Sequence, residues 1–154
     1  MKSKLANFLS AIAARASTFD EPVLGNLCRL AALEAETVHM PWIDGSPPSI
    51  VCIWDWDVPN DLNHVDPQGA ELFGVPPSQA SKGLPNDRYV SSVHPEDIEG
   101  VRRGLACAMK KGVFEARYRI SVGGQPRWVL GKGFCTIDAS NRPQRFAGVL
   151  IDID

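Results

Sequence analysis

The sequence predicts an α+β domain in which an antiparallel sheet carries its helices on one face. Three observations lead there. Phe114 to Ile120, Arg127-Trp128-Val129 and Gly148 to Ile153 are strand candidates in succession, the first two joined by Gly123-Gly124. A helix opened by His94-Pro95-Glu96-Asp97 comes just before them. Ile50-Val51-Cys52-Ile53-Trp54-Asp55-Trp56-Asp57, rich in β-branched and aromatic residues, places a further strand ahead of that helix.

Composition sets the class. The chain has 154 residues, 44% hydrophobic and 22% charged, with a formal charge of -2. That is enough for one domain and an appendage around a single core. A pI near 5.9 leaves no basic footprint, so nucleic acid is not expected as a partner. No stretch approaches the ~18 uninterrupted apolar residues that a membrane span requires, so no membrane partner is expected either. Cys28, Cys52, Cys107 and Cys135 lie far apart without Cys-x-x-Cys spacing. They read as reduced, small apolar residues of a cytoplasmic protein.

The elements follow in order. Leu5, Phe8, Leu9, Ile12 and Ala16 recur at helical spacing, with Lys4, Asn7, Ser10 and Arg15 on the other side. Asn7 and Ser10 interrupt the apolar run, which therefore reads as an amphipathic helix and not as a leader. A second helix starts after Thr18 to Pro22, where Thr18 with Glu21, or Asp20 with Pro22, supplies the cap. Its stripe is Val23, Leu24, Leu27, Leu30 and Ala31. Residues 1–40 thus form a helical extension, and Pro41, Gly45, Pro47 and Pro48 mark 41–49 as a linker before a domain over 50–154.

The strand from Ile50 is apolar on both faces, so both should be covered. Pro59-Asn60-Asp61 breaks it, and Leu62 to Val65 is a short strand. Asp66 caps a brief helix that Gly74 ends, and the Pro- and Ser-rich run from Val75 to Asn86 offers short helical turns. The main helix has His94 at its cap, Pro95 at its first position, Lys110-Lys111 in its last turn and Gly112 beyond. Ile98, Val101, Leu105 and Ala108 or Met109 line its buried side.

The closing hairpin fixes which side chains share a face. If Gly123-Gly124 is a two-residue primed turn, Val122 pairs with Gln125, Tyr118 with Val129, Ala116 with Gly131 and Phe114 with Gly133. These residues form the inner face. The outer face has Glu115 opposite Lys132, Arg119 opposite Trp128, and Leu130, continued by Val149, Ile151 and Ile153.

The Trp54-Asp55-Trp56-Asp57 strand, the His94-Pro95-Glu96-Asp97 helix start and the Asp152-Ile153-Asp154 end, in that order, resemble a PAS domain over Ile50 to Asp154. The resemblance implies a five-stranded sheet and a sensory or interaction module, and it places any ligand on the inner face. The candidate cavity is then Val101, Leu105, Phe114, Tyr118, Val129, Gly131 and Leu150. Gly131 and Gly133 either floor a cavity or are covered by Phe114 and Tyr118 lying across them. Were a ligand bound, the Tyr118 hydroxyl is its polar handle among apolar walls. The cofactor is unknown, and an apolar small molecule is one candidate.

Haem and a LOV-type flavin are disfavoured. PAS haem sensors generally use a histidine on the helical side of the pocket, and between Ile98 and Met109 only Cys107 and Met109 offer weak substitutes. His94 reads as a helix cap, and His39 and His64 form no ligand cluster with it. Asn26-Leu27-Cys28-Arg29-Leu30 is similar to the cysteine segment of LOV domains but precedes the first strand, while Val129 and Leu150 stand where those domains present an asparagine and a glutamine to the flavin. Asp55 and Asp57 share a strand face without a catalytic partner at readable spacing, so no catalytic residue is expected.

The resemblance also implies an interface. Helices before a PAS core lie on the outer sheet face or pair with a second subunit, which makes Leu5, Phe8, Leu9, Ile12, Trp128, Leu130, Val149 and Ile151 the candidate contact residues of a homodimer. Relatives continue past the Asp-Ile end into a signalling helix and a histidine kinase or cyclase. The effector is expected in the same chain, if this is a sensor excised from a longer one, or in a separate chain.

Overall fold

The computed structural model describes residues 49–154. They form five strands and four helices. Strands β1 (Ile50–Asp57) and β2 (Leu62–Val65) come first, followed by helices α1 (Pro67–Leu72), α2 (Pro77–Lys82), α3 (Asp87–Val90) and α4 (Pro95–Lys111). Strands β3 (Val113–Val122), β4 (Gln125–Ile137) and β5 (Pro143–Asp152) complete the domain. The sheet order is β2-β1-β5-β4-β3 and every neighbouring pair is antiparallel. The last strand in sequence therefore sits at the centre, beside the first.

The hairpin register is as the turn chemistry predicts. Val122 pairs with Gln125, Tyr118 with Val129, Ala116 with Gly131 and Phe114 with Gly133. Gly123 and Gly124 both take positive φ, 57° and 81°, the primed geometry whose twist matches the flanking strands. On the outer face Lys132 Nζ meets Glu115 Oε2 at 3.3 Å, and the Arg119 guanidinium stacks over Trp128 at 5.2 Å.

Local caps place the helices. Asp66 Oδ1 accepts from the Gly69 and Ile53 amides at 3.1 and 2.9 Å, which both starts α1 and ties it to β1. His94 Nδ1 accepts from the Glu96 amide at 3.3 Å, and Gly112 ends α4 in the left-handed conformation. Val101 and Ala108 of α4 are buried, with Ile98, Leu105 and Met109 packed beside them.

The core lies between these helices and the inner face. Its centre is aromatic: Trp54 meets Phe114 edge-on at 6.4 Å, Trp56 stacks on Phe146 at 6.2 Å, and Phe114 meets Phe146 edge-on at 5.9 Å. The outer face is buried as well, with Ile53, Leu130 and Val149 at 0% exposure. Both faces of β1 are covered, as its composition requires. Ile53 and Leu130 stand apart from the inner cluster that the described helices cover.

Candidate functional site

A cavity of about 60 Å3 lies between the inner face and α3 and α4. Its walls include Val101, Leu105, Phe114, Tyr118 and Leu150, five of the seven residues named from the register. Val129 and Gly131 are not among them. Val129 is fully buried, and a methyl group built on Gly131 would lie 3.0 Å from both the Phe114 ring and the Tyr118 hydroxyl. The expectation that the same two aromatics cover Gly133 is corrected too. Phe146 and Trp54 do so, at 2.6 and 3.0 Å from such a methyl group. The central glycine gap is filled by aromatic rings, which displaces the cavity toward β2 and α3.

That displacement brings to the cavity residues that the sequence reading had not placed there: Cys52, Trp54, Trp56, Asn63, Asn86 and Tyr89. Asn63 pairs with Trp56 across the β1–β2 hairpin and so shares the inner face. A polar chain runs inward from the hairpin loop. The Asp61 carboxylate accepts from Trp56 Nε1 at 3.0 Å and from the Asn86 amide at 3.1 Å, and Asn86 Oδ1 accepts from Asn63 Nδ2 at 2.8 Å. The chain stops there, because Asn63 Oδ1 and the Tyr89 hydroxyl are buried without a hydrogen-bond partner. Leaving such a group unpaired costs about 1–3 kcal/mol.

The cavity carries no formal charge. No Asp, Glu, Lys, Arg or His is among its lining residues. Burial pushes the Tyr89 phenol up to about 12, with Cys52 nearby adding to the effect. Burial raises Tyr118 as well. Both hydroxyls therefore stay protonated near neutrality and can donate or accept.

Among the described residues no three His, Cys, Asp or Glu side chains gather to hold a metal ion. Asp55 is committed elsewhere, since Arg145 Nε donates to its Oδ1 at 3.0 Å and Arg145 Nη2 bonds Oδ2. Asp57 accepts from Asn60 at the start of the loop.

The candidate contact residues divide. Trp128 is 42% exposed, whereas Leu130, Val149 and Ile151 are buried. Leu5, Phe8, Leu9 and Ile12 lie outside the described residues. One side chain joins the cavity side to the Trp128 side. Arg119, on the edge strand β3, stacks on Trp128 and donates to Asp97 at the start of α4.

Known proteins agree with this architecture. A family model described as PAS fold matches residues 62–150, more than half of the chain. The chain belongs to the PAS family. A sensory box histidine kinase/response regulator from Burkholderia thailandensis superposes with a TM-score of 0.57 at 20% identity, covering 66% of this chain and 76% of that one. The N-terminal domain of a diguanylate cyclase with PAS/PAC sensor from Marinobacter aquaeolei gives 0.56 at 25% identity, over 66% and 94%. The PAS domain of a protein from Colwellia psychrerythraea gives 0.51 at 19%, over 66% and 85%. No curated protein matches the chain. No helix among the described residues is long and apolar enough to cross a membrane.

Proposed function

We propose that this PAS domain is a non-catalytic sensory module that relays a signal through protein–protein contacts on its outer sheet face, as a homodimer and toward a histidine kinase or cyclase effector in the same or a separate chain. The observation that carries this reading is the Asp97–Arg119–Trp128 connection, which links the start of the cavity helix to an exposed aromatic on the opposite face. A shift of α4 reaches Trp128 through a charged, bidentate contact that has little slack. The likeness to domains of a sensory kinase and a cyclase supports the same effector classes. The cavity walls support a role without catalysis, since no acidic, basic or imidazole side chain stands there beside the Cys52 thiol or the Tyr89 and Tyr118 phenols to act as a general base. The protein acts in the cytoplasm in this reading, in line with four cysteines set far apart in the sequence without Cys-x-x-Cys spacing.

In this reading the extension over residues 1–40 caps the outer face or pairs with a second copy there. Leu130 and Val149 are fully buried on the side away from the described helices. The exposed Trp128 then lies at the margin of the covered area, where a second copy can meet it. Light scattering on the full chain and on Trp128→Glu tests this. A dimer that becomes a monomer in the variant is expected; a monomeric parent, or a variant dimer of unchanged stability, overturns the interface.

The cavity favours a second reading, in which the module is a small-molecule receptor. An absorbance spectrum and native mass spectrometry of the purified protein test it. Added mass supports the receptor, and a ligand-free folded protein counts against it.

A further inference from the structure

Strand β3 keeps a stretch of open edge. It is the last strand of the sheet, and β4 is its neighbour on one side alone. The two-residue turn makes Val122 and Gln125 a hydrogen-bonded pair, and every second pair back from it, including Tyr118 with Val129 and Ala116 with Gly131, bonds in the same way. The main-chain N–H and C=O groups of Glu115, Arg117, Arg119 and Ser121 therefore point away from β4. The far end of this edge is covered. The Arg119 amide donates to Asp97 at 2.9 Å, its carbonyl accepts from the His94 amide at 2.8 Å, and the Ser121 amide donates to the Ser92 carbonyl at 2.8 Å. Among the described residues no group takes up the main chain of Glu115 or Arg117, and both residues are exposed.

Charged side chains ordinarily blunt such an edge against pairing. Here their order favours one partner. Glu115 and Arg117 stand on the same face with opposite signs, so an antiparallel copy of β3, related by a two-fold axis through Ala116, sets Glu115 of each copy opposite Arg117 of the other. Each of these facing pairs also exchanges both of its main-chain hydrogen bonds, because all the groups involved point outward. A two-fold through Glu115 or through Arg117 would set like charges opposite each other. Arg119 is already held by Asp97 and Glu96, whereas Arg117 makes no ion pair among the described residues. Lys132 Nζ lies 3.3 Å from Glu115 Oε2, which leaves Oε1 of that carboxylate for Arg117 of the second copy.

Two further features agree with that axis. It carries Val113 of each copy to the row of Arg119 and Trp128 of the other, which brings together two exposed apolar side chains, 48% and 42% exposed. Helix α4 runs opposite to β3, from Asp97 beside Arg119 to Gly112 just before Val113. The axis therefore turns the acidic start of each α4, Glu96 and Asp97, toward the Lys110-Lys111 end of the other. From these observations we infer that two copies of this chain join edge to edge along β3, in the register that pairs Glu115 with Arg117, and merge their sheets into one. This rests on the homodimer proposed above and places its contact at the strand next to Trp128. The pairing stops at Arg119, whose main chain His94 and Asp97 already occupy. Such an interface is isologous and closes on itself, so it gives a dimer and no longer assembly.

The experiment is amide hydrogen exchange on the full chain, resolved by residue with NMR, at concentrations where light scattering reports the dimer and, on dilution, the monomer. The Ala116 and Tyr118 amides bond to β4 and should be protected in both states. Those of Glu115 and Arg117 should be protected in the dimer and exchange freely in the monomer. Arg117→Glu sets glutamates opposite each other at both pairs and should weaken the dimer about tenfold. Arg117 is exposed, so the diluted variant should melt with the diluted parent, which separates lost pairing from lost folding. A dimer whose Glu115 and Arg117 amides exchange freely overturns the edge pairing and leaves the homodimer standing. A chain that stays monomeric up to its solubility limit overturns both. An Arg117→Glu dimer as tight as the parent's overturns the register through Ala116.

Discussion

Asp97 holds Arg119 by three bonds: its carboxylate accepts from the Arg119 amide at 2.9 Å, from Nε at 2.8 Å and from Nη2 at 2.8 Å. Glu96 adds a fourth, accepting from Nη2 at 2.8 Å. The first turn of α4 is thus clamped to the edge strand at the point where the His94 amide also donates to the Arg119 carbonyl at 2.8 Å.

The clamp has a pH signature. Hydrogen bonds from Arg119 hold the Asp97 carboxyl down to about 2. A depressed native pKa stabilises the fold above the unfolded value, near 4, and that contribution fades as the pH falls toward 2. The urea midpoint of the parent should therefore exceed that of Asp97→Asn at pH 6, and the gap should close by about pH 2. A gap that persists in acid would show that the ionised carboxylate is not its source.

Two glycines should respond oppositely to the same change. A methyl group on Gly148 would overlap the Lys132 carbonyl oxygen and the Trp54 ring, in a sheet centre with no room to give. Gly148→Ala should cost about 3 kcal/mol by overpacking. Gly100 lies within α4 with nothing within 4 Å of such a methyl group. There alanine should stabilise by about 0.5–1 kcal/mol through helix propensity. Denaturant titrations of the two variants read both signs.

Thiol reactivity should sort by burial. Cys52 and Cys135 are buried and Cys107 is exposed on α4. Burial also pushes the Cys135 thiol up to about 11, leaving little thiolate to react near neutrality. Among these three, a maleimide followed by peptide mass mapping should label Cys107 rapidly, and Cys52 and Cys135 only after denaturant is added. Rapid native labelling of Cys135 would contradict its place in the core.

How much of this was legible depended on whether signals were local. The β3–β4 register was, because Gly123-Gly124 and the alternation from Phe114 to Tyr118 each point to the same pairing. The cover over Gly133 was not, since Phe146 and Trp54 come from β5 and β1, whose adjacency is a long-range fact of topology. Asn63 escaped notice because β2 is four residues long and its turn relies on Asp61 at φ 49°, with no glycine to announce it. Tyr89 lies on a helix of four residues, too short to show a period. The residues that complete the cavity are therefore those held by irregular segments, where sequence pattern is weakest.

Asp61 itself can be dissected. It occupies the left-handed region while its Oδ1 accepts from both Trp56 and Asn86. Asp61→Gly loses the carboxylate and keeps the backbone at ease, whereas Asp61→Ala loses the carboxylate and adds the strain of a Cβ at positive φ. Both should destabilise, since hydrogen bonds to a charged group contribute about 1.5–3 kcal/mol each. Alanine should be worse than glycine by about 1 kcal/mol. Denaturant midpoints of the two variants give that difference directly. If alanine and glycine prove equal, the hairpin loop has another way to turn, and the polar chain from Asp61 through Asn86 to Asn63 is less rigid than its geometry requires.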